Sequence, residues 1–185
     1  MKSIALNILD IAQNSKRAGA SEIAISITDS GKNDSVTITI TDNGDGMTEE
    51  FLNKVTDPFV TTRTTRKIGL GLPLLKFHAE LAGGEMKIIS GPGKGTKVNA
   101  SFIRSHIDRQ PLGDIAGVIT ILATGNPGVE IIYDHITDKG SYRFSTAETK
   151  EYLGTDTLNE PGLTDSIREM IGQNIRELSV FGSAS

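Results

Sequence analysis

Apolar residues recur every three or four positions at the start of the chain, at Ile4, Ile8, Ile11 and Ala12, and the pattern stops at Gly19. That spacing predicts a helix over residues 2–18 with one buried stripe, leaving Asp10, Asn14 and Arg17 together on another face. The period then falls to two. Ile23, Ile25 and Ile27 alternate with polar neighbours, and Val36, Ile38 and Ile40 do the same after the polar run Ser30-Gly31-Lys32-Asn33-Asp34. Two half-buried strands joined by such a turn form a β-hairpin, and its second strand delivers Asp42 to a strand end.

Between residues 48 and 68 the apolar period lapses into Thr, Lys and Arg, and Pro58 interrupts any helix, which predicts a mobile lid. Gly69-Leu70-Gly71-Leu72 then leads into Pro73, a residue suited to a first helical turn, and Leu74, Leu75, Phe77 and Leu81 carry a helix to Gly83-Gly84. Residues 85–90 and 96–103 read as strands around Gly91-Pro92-Gly93-Lys94-Gly95. Past a seam at residues 105–111, two further strands are predicted at 117–123 and 129–137, and a turn at 138–140 leads into a strand at 141–145. An amphipathic helix is predicted over 163–178, with Ile167, Ile171, Ile175 and Leu178 on one stripe and a Ser166/Glu169 capping box. The expected organisation is therefore a first domain over residues 1–105 and a small α+β region over 106–185 that resembles no recognised family.

Composition narrows the chemistry. The chain has 185 residues and is 37% hydrophobic, enough for an ordinary core. It has no cysteine and three histidines, which excludes disulfides and thiolate zinc sites and makes a hard ion such as magnesium the expected metal. No apolar run approaches the ~20 residues of a membrane span, so no membrane partner and a cytoplasmic location are expected. Residues 1–105 carry 13 Lys or Arg against 11 Asp or Glu, whereas residues 106–185 carry 6 against 12. The first part suits a polyanionic ligand, and the acidic second part argues against nucleic acid as a partner.

Asp42-Asn43-Gly44-Asp45-Gly46-Met47 offers a carboxylate that can accept from an adenine amino group, beside glycines that allow close approach. Taken alone, it reads equally well as an Asn-Gly turn between strands. Asn14 carries an amide oxygen suited to magnesium, Asp10 one turn earlier can assist the ion or polarise a water, and Arg17 can reach a phosphate; each also reads as a solvated helix residue. Gly69, Leu70, Gly71 and Leu72 open a helix whose free N–H groups and positive dipole end can receive phosphates. Arg63, Arg66 and Lys67 of the lid can add positive charge on closure.

These segments, in this order, resemble the GHKL ATPases, which include gyrase, the large heat-shock chaperone, histidine kinases and MutL. Asp10-Ile11-Ala12-Gln13-Asn14-Ser15-Lys16-Arg17-Ala18-Gly19-Ala20 is similar to their N box, residues 42–47 to the G1 box and Gly69-Leu70-Gly71-Leu72-Pro73 to the G2 box. Asp57-Pro58-Phe59-Val60-Thr61-Thr62 resembles the F box of sensor histidine kinases, and Gly93-Lys94-Gly95-Thr96 the last Gly-rich box. The resemblance covers roughly residues 1–104 and implies a Bergerat fold, an α/β sandwich with a mixed, mainly antiparallel sheet covered by helices. It implies ATP and Mg2+ as cofactors, with Asn14 on the metal, Asp42 on the adenine, Gly69 and Gly71 on the phosphates and Thr96 near the base through water. Gly44, Gly46, Met47, Phe59, Leu70 and Leu72 belong to the same boxes, and Lys67 of the lid is expected to join them in binding the nucleotide.

Two departures qualify what the resemblance implies. The gyrase and MutL branch places a glutamate as general base four residues before the metal asparagine, where this chain has Asp10, shorter by one methylene or about 1.5 Å. The kinase branch carries its acceptor histidine on a preceding helical hairpin, whereas this sequence begins at the N box, so autophosphorylation is expected to need another protein. His78, His106 and His135 are not expected to repair that gap, since the Asp134-His135 pair lacks a third partner. The expected function is transfer of the γ-phosphoryl group of ATP to a histidine or serine on a separate protein, with Asp10, Arg17 and Arg63 as the candidate catalytic residues. The alternative is an interaction module switched by ATP with slow or no hydrolysis, and a MutL-like hydrolase ranks behind both. Oligomeric state stays open.

Overall fold

The computed structural model describes residues 3–57 and 70–180. Its elements are α1 (Ile4–Arg17), β1 (Glu22–Ser30), β2 (Ser35–Asp42), α2 (Glu49–Leu52), α3 (Gly71–Leu81), β3 (Met86–Ser90), β4 (Thr96–Ile103), α4 (Ile115–Gly125), β5 (Glu130–Thr137), β6 (Gly140–Ser145), α5 (Thr146–Leu153) and α6 (Pro161–Val180). The strands form one mixed sheet in the order β3-β4-β2-β1-β5-β6. Every neighbouring pair is antiparallel except β1 and β5, which run parallel. This α/β architecture, with helices on one face, is the one expected from the sequence.

Alternation decides which face is covered. Ile23, Ile25 and Ile27 of β1, Ile38 and Ile40 of β2, Val98 and Phe102 of β4 and Tyr133 of β5 are all buried on the helical side. In β2 and β4 the residues between them, Thr37, Thr39, Lys97 and Asn99, are partly or fully exposed on the other. On that helical side α1 packs between α3 and α4, and α6 lies against α4 and β6. Burying one Ile side chain is worth roughly 1.5–3 kcal/mol, and Ile4, Ile8 and Ile11 place three of them under α1.

The first turn of α1 draws its acceptors from far along the chain. Ser3 at its N-cap makes no side-chain cap, and instead Ile4 N–H donates to Pro111 O at 3.1 Å and Ala5 N–H to Leu112 O at 2.8 Å. Two of the helix's orphan donors are thereby satisfied by the segment that follows β4. With β5 paired to β1 along Glu22–Asp29, residues 106–180 extend the same sheet and share one hydrophobic core with the rest.

Two expectations are corrected here. Residues 117–123 are not a strand but the middle of α4, whose Ile115, Val118, Ile119, Leu122 and Ala123 are buried. A helix enclosed by α1, α6 and the sheet is apolar almost all round, so its sequence loses the polar stripe that marks an amphipathic helix. Its start is marked by Asp114, whose carboxylate accepts from Gly117 N–H at 2.8 Å as an N-cap. Nor does Ser166 cap α6: the helix begins at Pro161, and Ser166 Oγ donates one turn back to Gly162 O at 3.0 Å.

Candidate functional site

Asp42 ends β2 with its side chain on the helical side of the sheet, and three donors fix it. Its Oδ1 accepts from Gly44 N–H at 2.9 Å and from Thr96 N–H at 3.2 Å, and its Oδ2 accepts from Ser15 Oγ at 2.5 Å. The last bond ties the strand end to α1 one residue from Asn14. The carboxylate and the amide that the sequence singles out therefore belong to one neighbourhood.

The glycines of the 42–47 turn are required by the chain itself. A Cβ on Gly44 would sit 2.6 Å from Ala18 O, and one on Gly46, where φ is +70°, would sit 2.0 Å from Gly91 O. Asp45 N–H donates to Ala18 O at 2.7 Å and Gly93 N–H to Asp45 O at 2.7 Å, so the turn is wedged between the end of α1 and the 91–95 turn. Asn43 does not face the site: its Oδ1 accepts from Ser21 and Glu22 N–H, which tethers the turn to the start of β1. Met47 N–H donates to Ser90 Oγ at 2.9 Å, and Ser90 Oγ also bonds Gly95 O and Thr96 Oγ1.

Along α1, Asp10 and Asn14 stand one turn apart. Asp10 Oδ2 accepts from Gly71 N–H at 3.1 Å, the first residue of α3, and a Cβ on Gly71 would lie 2.3 Å from that oxygen. Asn14 Oδ1 accepts from Arg17 Nη1 at 2.6 Å. Leu70 is the N-cap residue of α3, and Leu72 is partly buried against the core. Phe59, Arg63, Arg66, Lys67 and Gly69 lie outside the described residues, as does most of the expected lid; within the described part, Thr48 caps the short helix α2.

The helix-side site is distinct from a cleft of about 360 Å³ at the same strand ends. That cleft is lined by Thr41, Ile89, Pro92, Lys94 and Lys97 together with Asp42 and Thr96, and by no residue of α1 or α3. His135 points inward and shares a 2.6 Å bond between Nδ1 and Tyr133 OH, whereas Asp134 lies on the other face and pairs with Arg143. Burial holds the His135 imidazole below its ordinary range, opposed in part by Asp29, and burial likewise pushes the Tyr133 hydroxyl up. His78 on α3 is also lowered by burial, and its Nδ1 has no partner among the described residues.

A metal fits this site only as an ion that brings its own ligands. Asp10 and Asn14 supply one carboxylate and one amide oxygen a turn apart, and among the described residues no three His, Cys, Asp or Glu side chains gather to cage an ion. Such a sparse set of hard oxygens suits magnesium held largely by water and phosphates.

Comparison with known proteins decides the family. Residues 1–106 match the family described as histidine kinase-, DNA gyrase B-, and HSP90-like ATPases. The chain belongs to that family. Its matching part is thus an ATP-binding domain of histidine-kinase-like type, and the sheet with its covering helices is the Bergerat fold. Among curated relatives, a non-motile and phage-resistance protein of Caulobacter vibrioides is 29% identical over 116 residues, covering 60% of this chain and 14% of that protein. Sporulation kinase A of Bacillus subtilis is 33% identical over 102 residues, 55% of this chain and 16% of that one. Sensor histidine kinase ZraS of Escherichia coli is 32% identical over 89 residues, 48% and 19% respectively. The chain therefore spans less than a fifth of the length of these relatives. A solved N-terminal domain of a DNA repair protein superposes with a TM-score of 0.57 at 19% identity, over 78% of this chain and 52% of that one, a likeness of fold alone.

Ser15, Ser90 and Asn43 were not singled out by sequence reasoning, although all three hold the site together. The signal for Ser15 was present: a hydroxyl on the buried stripe of a helix, four residues after Ile11, needs a partner. Nothing in the sequence names that partner as Asp42.

Proposed function

We propose that the chain binds magnesium ATP between α1, α3 and the ends of β2 and β4, and passes the γ-phosphoryl group to a side chain of a separate protein in signalling or regulation. The observation that carries this reading is the Ser15 to Asp42 bond, because it puts the adenine-reading carboxylate beside the helix that bears Asn14 and Asp10. Kinases among the relatives support transfer over hydrolysis. In the reaction, an acceptor oxygen or nitrogen bonds to the γ-phosphorus while the β–γ bridging bond breaks and ADP leaves with that electron pair; the acceptor's proton passes to solvent or a base on the partner.

The chain's own residues orient and neutralise. Asp42 accepts from the adenine amino group, Asn14 and Asp10 face the metal, and the start of α3 points its dipole at the phosphates. Magnesium, when bound, spreads the charge that develops on the transferring group. Arg17 donates to the Asn14 oxygen that would hold the ion, and with that oxygen taken by the ion its guanidinium would be left to reach a phosphate. Arg63 and Lys67 are proposed to add charge from the lid, and the protein is proposed to work in the cytoplasm without nucleic acid. No helix among the described residues is long and apolar enough to cross a membrane.

The second reading, an ATP-switched module without transfer, is favoured by one observation: Asp10 Oδ2 is engaged by Gly71 N–H, which suits a residue that docks α3 on α1 more than one that polarises water. Incubation of the protein with γ-labelled ATP and an extract tests both. Transfer requires a second protein to become labelled with magnesium present, and to stay unlabelled when Asp42→Asn replaces the wild type. Bound ATP with no labelled acceptor supports the switch.

A further inference from the structure

The carboxylate of Asp42 has room for about four hydrogen bonds, two on each oxygen. Oδ1 is filled by the N–H groups of Gly44 and Thr96. Oδ2 accepts from Ser15 Oγ at 2.5 Å, which leaves it one acceptor position. Ser15 is itself 5% exposed on the buried stripe of α1, and among the described residues its hydroxyl has one other hydrogen-bond contact, with Ile11 O at 3.3 Å. A hydroxyl has a single proton, and the shorter bond to an ionised acceptor is the one that holds it.

We infer that Ser15 is the positioning residue that sets base specificity, by restricting Asp42 to a single inward-facing acceptor matched to one N–H of a 6-amino purine. This rests on the proposed nucleotide site and names what that site discriminates. With the two backbone donors on Oδ1 alone, the carboxylate can rock about that oxygen and admit a water at Oδ2. The third donor, on a rigid helix, removes that freedom. A 6-oxo purine then presents an oxygen to an oxygen, with no rotation of the carboxylate to relieve the mismatch. Ser15 adds no contact to the triphosphate in this account, so its effect falls on the base alone.

The test compares ATP with inosine triphosphate, which carries the same phosphates and a carbonyl in place of the amino group. Affinities of both are measured by calorimetry on the full chain, for wild type, Ser15→Ala and Ser15→Thr, with circular dichroism and a melting curve on each. Ser15→Ala is expected to weaken ATP by about tenfold while changing inosine triphosphate little, so that the preference collapses. Ser15→Thr keeps the hydroxyl and is expected to keep the preference, whatever its melting temperature. A preference unchanged in Ser15→Ala, or equal losses for both nucleotides, overturns the inference. If the wild type binds neither nucleotide, the site reading fails and the inference with it; if the wild type prefers ATP and only the serine result differs, the site stands and this inference alone falls.

Discussion

At the scale of single residues, the account rests on close approaches that only certain side chains permit. Gly46 and Gly93 both have φ near +70°, yet a Cβ on Gly46 meets Gly91 O at 2.0 Å, and one on Gly93 meets nothing within 4 Å. Gly93→Ala is expected to cost about 1 kcal/mol, the left-handed penalty alone. Gly46→Ala is expected to lose well over about 2 kcal/mol, because the backbone must also part. Urea unfolding of the two variants distinguishes them, and equal losses contradict the packing described. Asp10 divides the two functional readings. Asp10→Asn keeps an acceptor for Gly71 N–H and is expected to preserve ATP affinity, whereas Asp10→Ala is expected to weaken it several-fold; turnover lost in Asp10→Asn with affinity intact would mark Asp10 as a general base instead.

At the scale of elements, legibility followed periodicity. The hairpin of β1 and β2, the stripe of α1 and the start of α3 were readable because half-buried elements leave a polar face in register with an apolar one. The element α4 departs from its expected strand for the opposite reason: Ile115, Val118, Ile119 and Leu122 are buried together, Thr120 is satisfied by Ala116 O, and the exposed position Ile121 is itself apolar, so no polar stripe marks the helix. In the site, Asp42, Asn14 and Asp10 are visible as residue types at strand and helix positions, whereas the bonds from Ser15 to Asp42 and from Met47 N–H to Ser90 join segments far apart in sequence and leave no local pattern. Removing the cap with Asp114→Ala is expected to lower stability by about 1 kcal/mol. The loss should come mainly from the cap, because the Arg168 pair with the same carboxylate is more than half exposed on both sides. Chemical denaturation of Asp114→Ala beside Arg168→Ala checks that order.

At the scale of the whole molecule, the part of the chain after β4 is structural to the site as well as attached to it. Pro111 and Leu112 carbonyls cap α1, α4 packs on it, and β5 closes the sheet beside β1. Native-state hydrogen exchange is expected to show β1 and β5 protected with one common opening energy, and earlier opening of β5 would contradict a shared core. Buried His135 adds a pH dependence with a definite sign. Its folded-state value is depressed, so the unfolded chain binds the proton more readily. Stability is therefore full above the ordinary histidine range of about 6.5 and falls as pH drops through it, a slope that His135→Gln should flatten. The central claim, that Asp42 reads adenine beside α1, is tested most directly by calorimetric titration of magnesium ATP into wild type and Asp42→Asn. An amide that turns a donor toward the adenine amino group should weaken binding by tenfold or more, on the order of the cost of an unmade hydrogen bond to a charged group. Equal affinity in the two proteins contradicts the account.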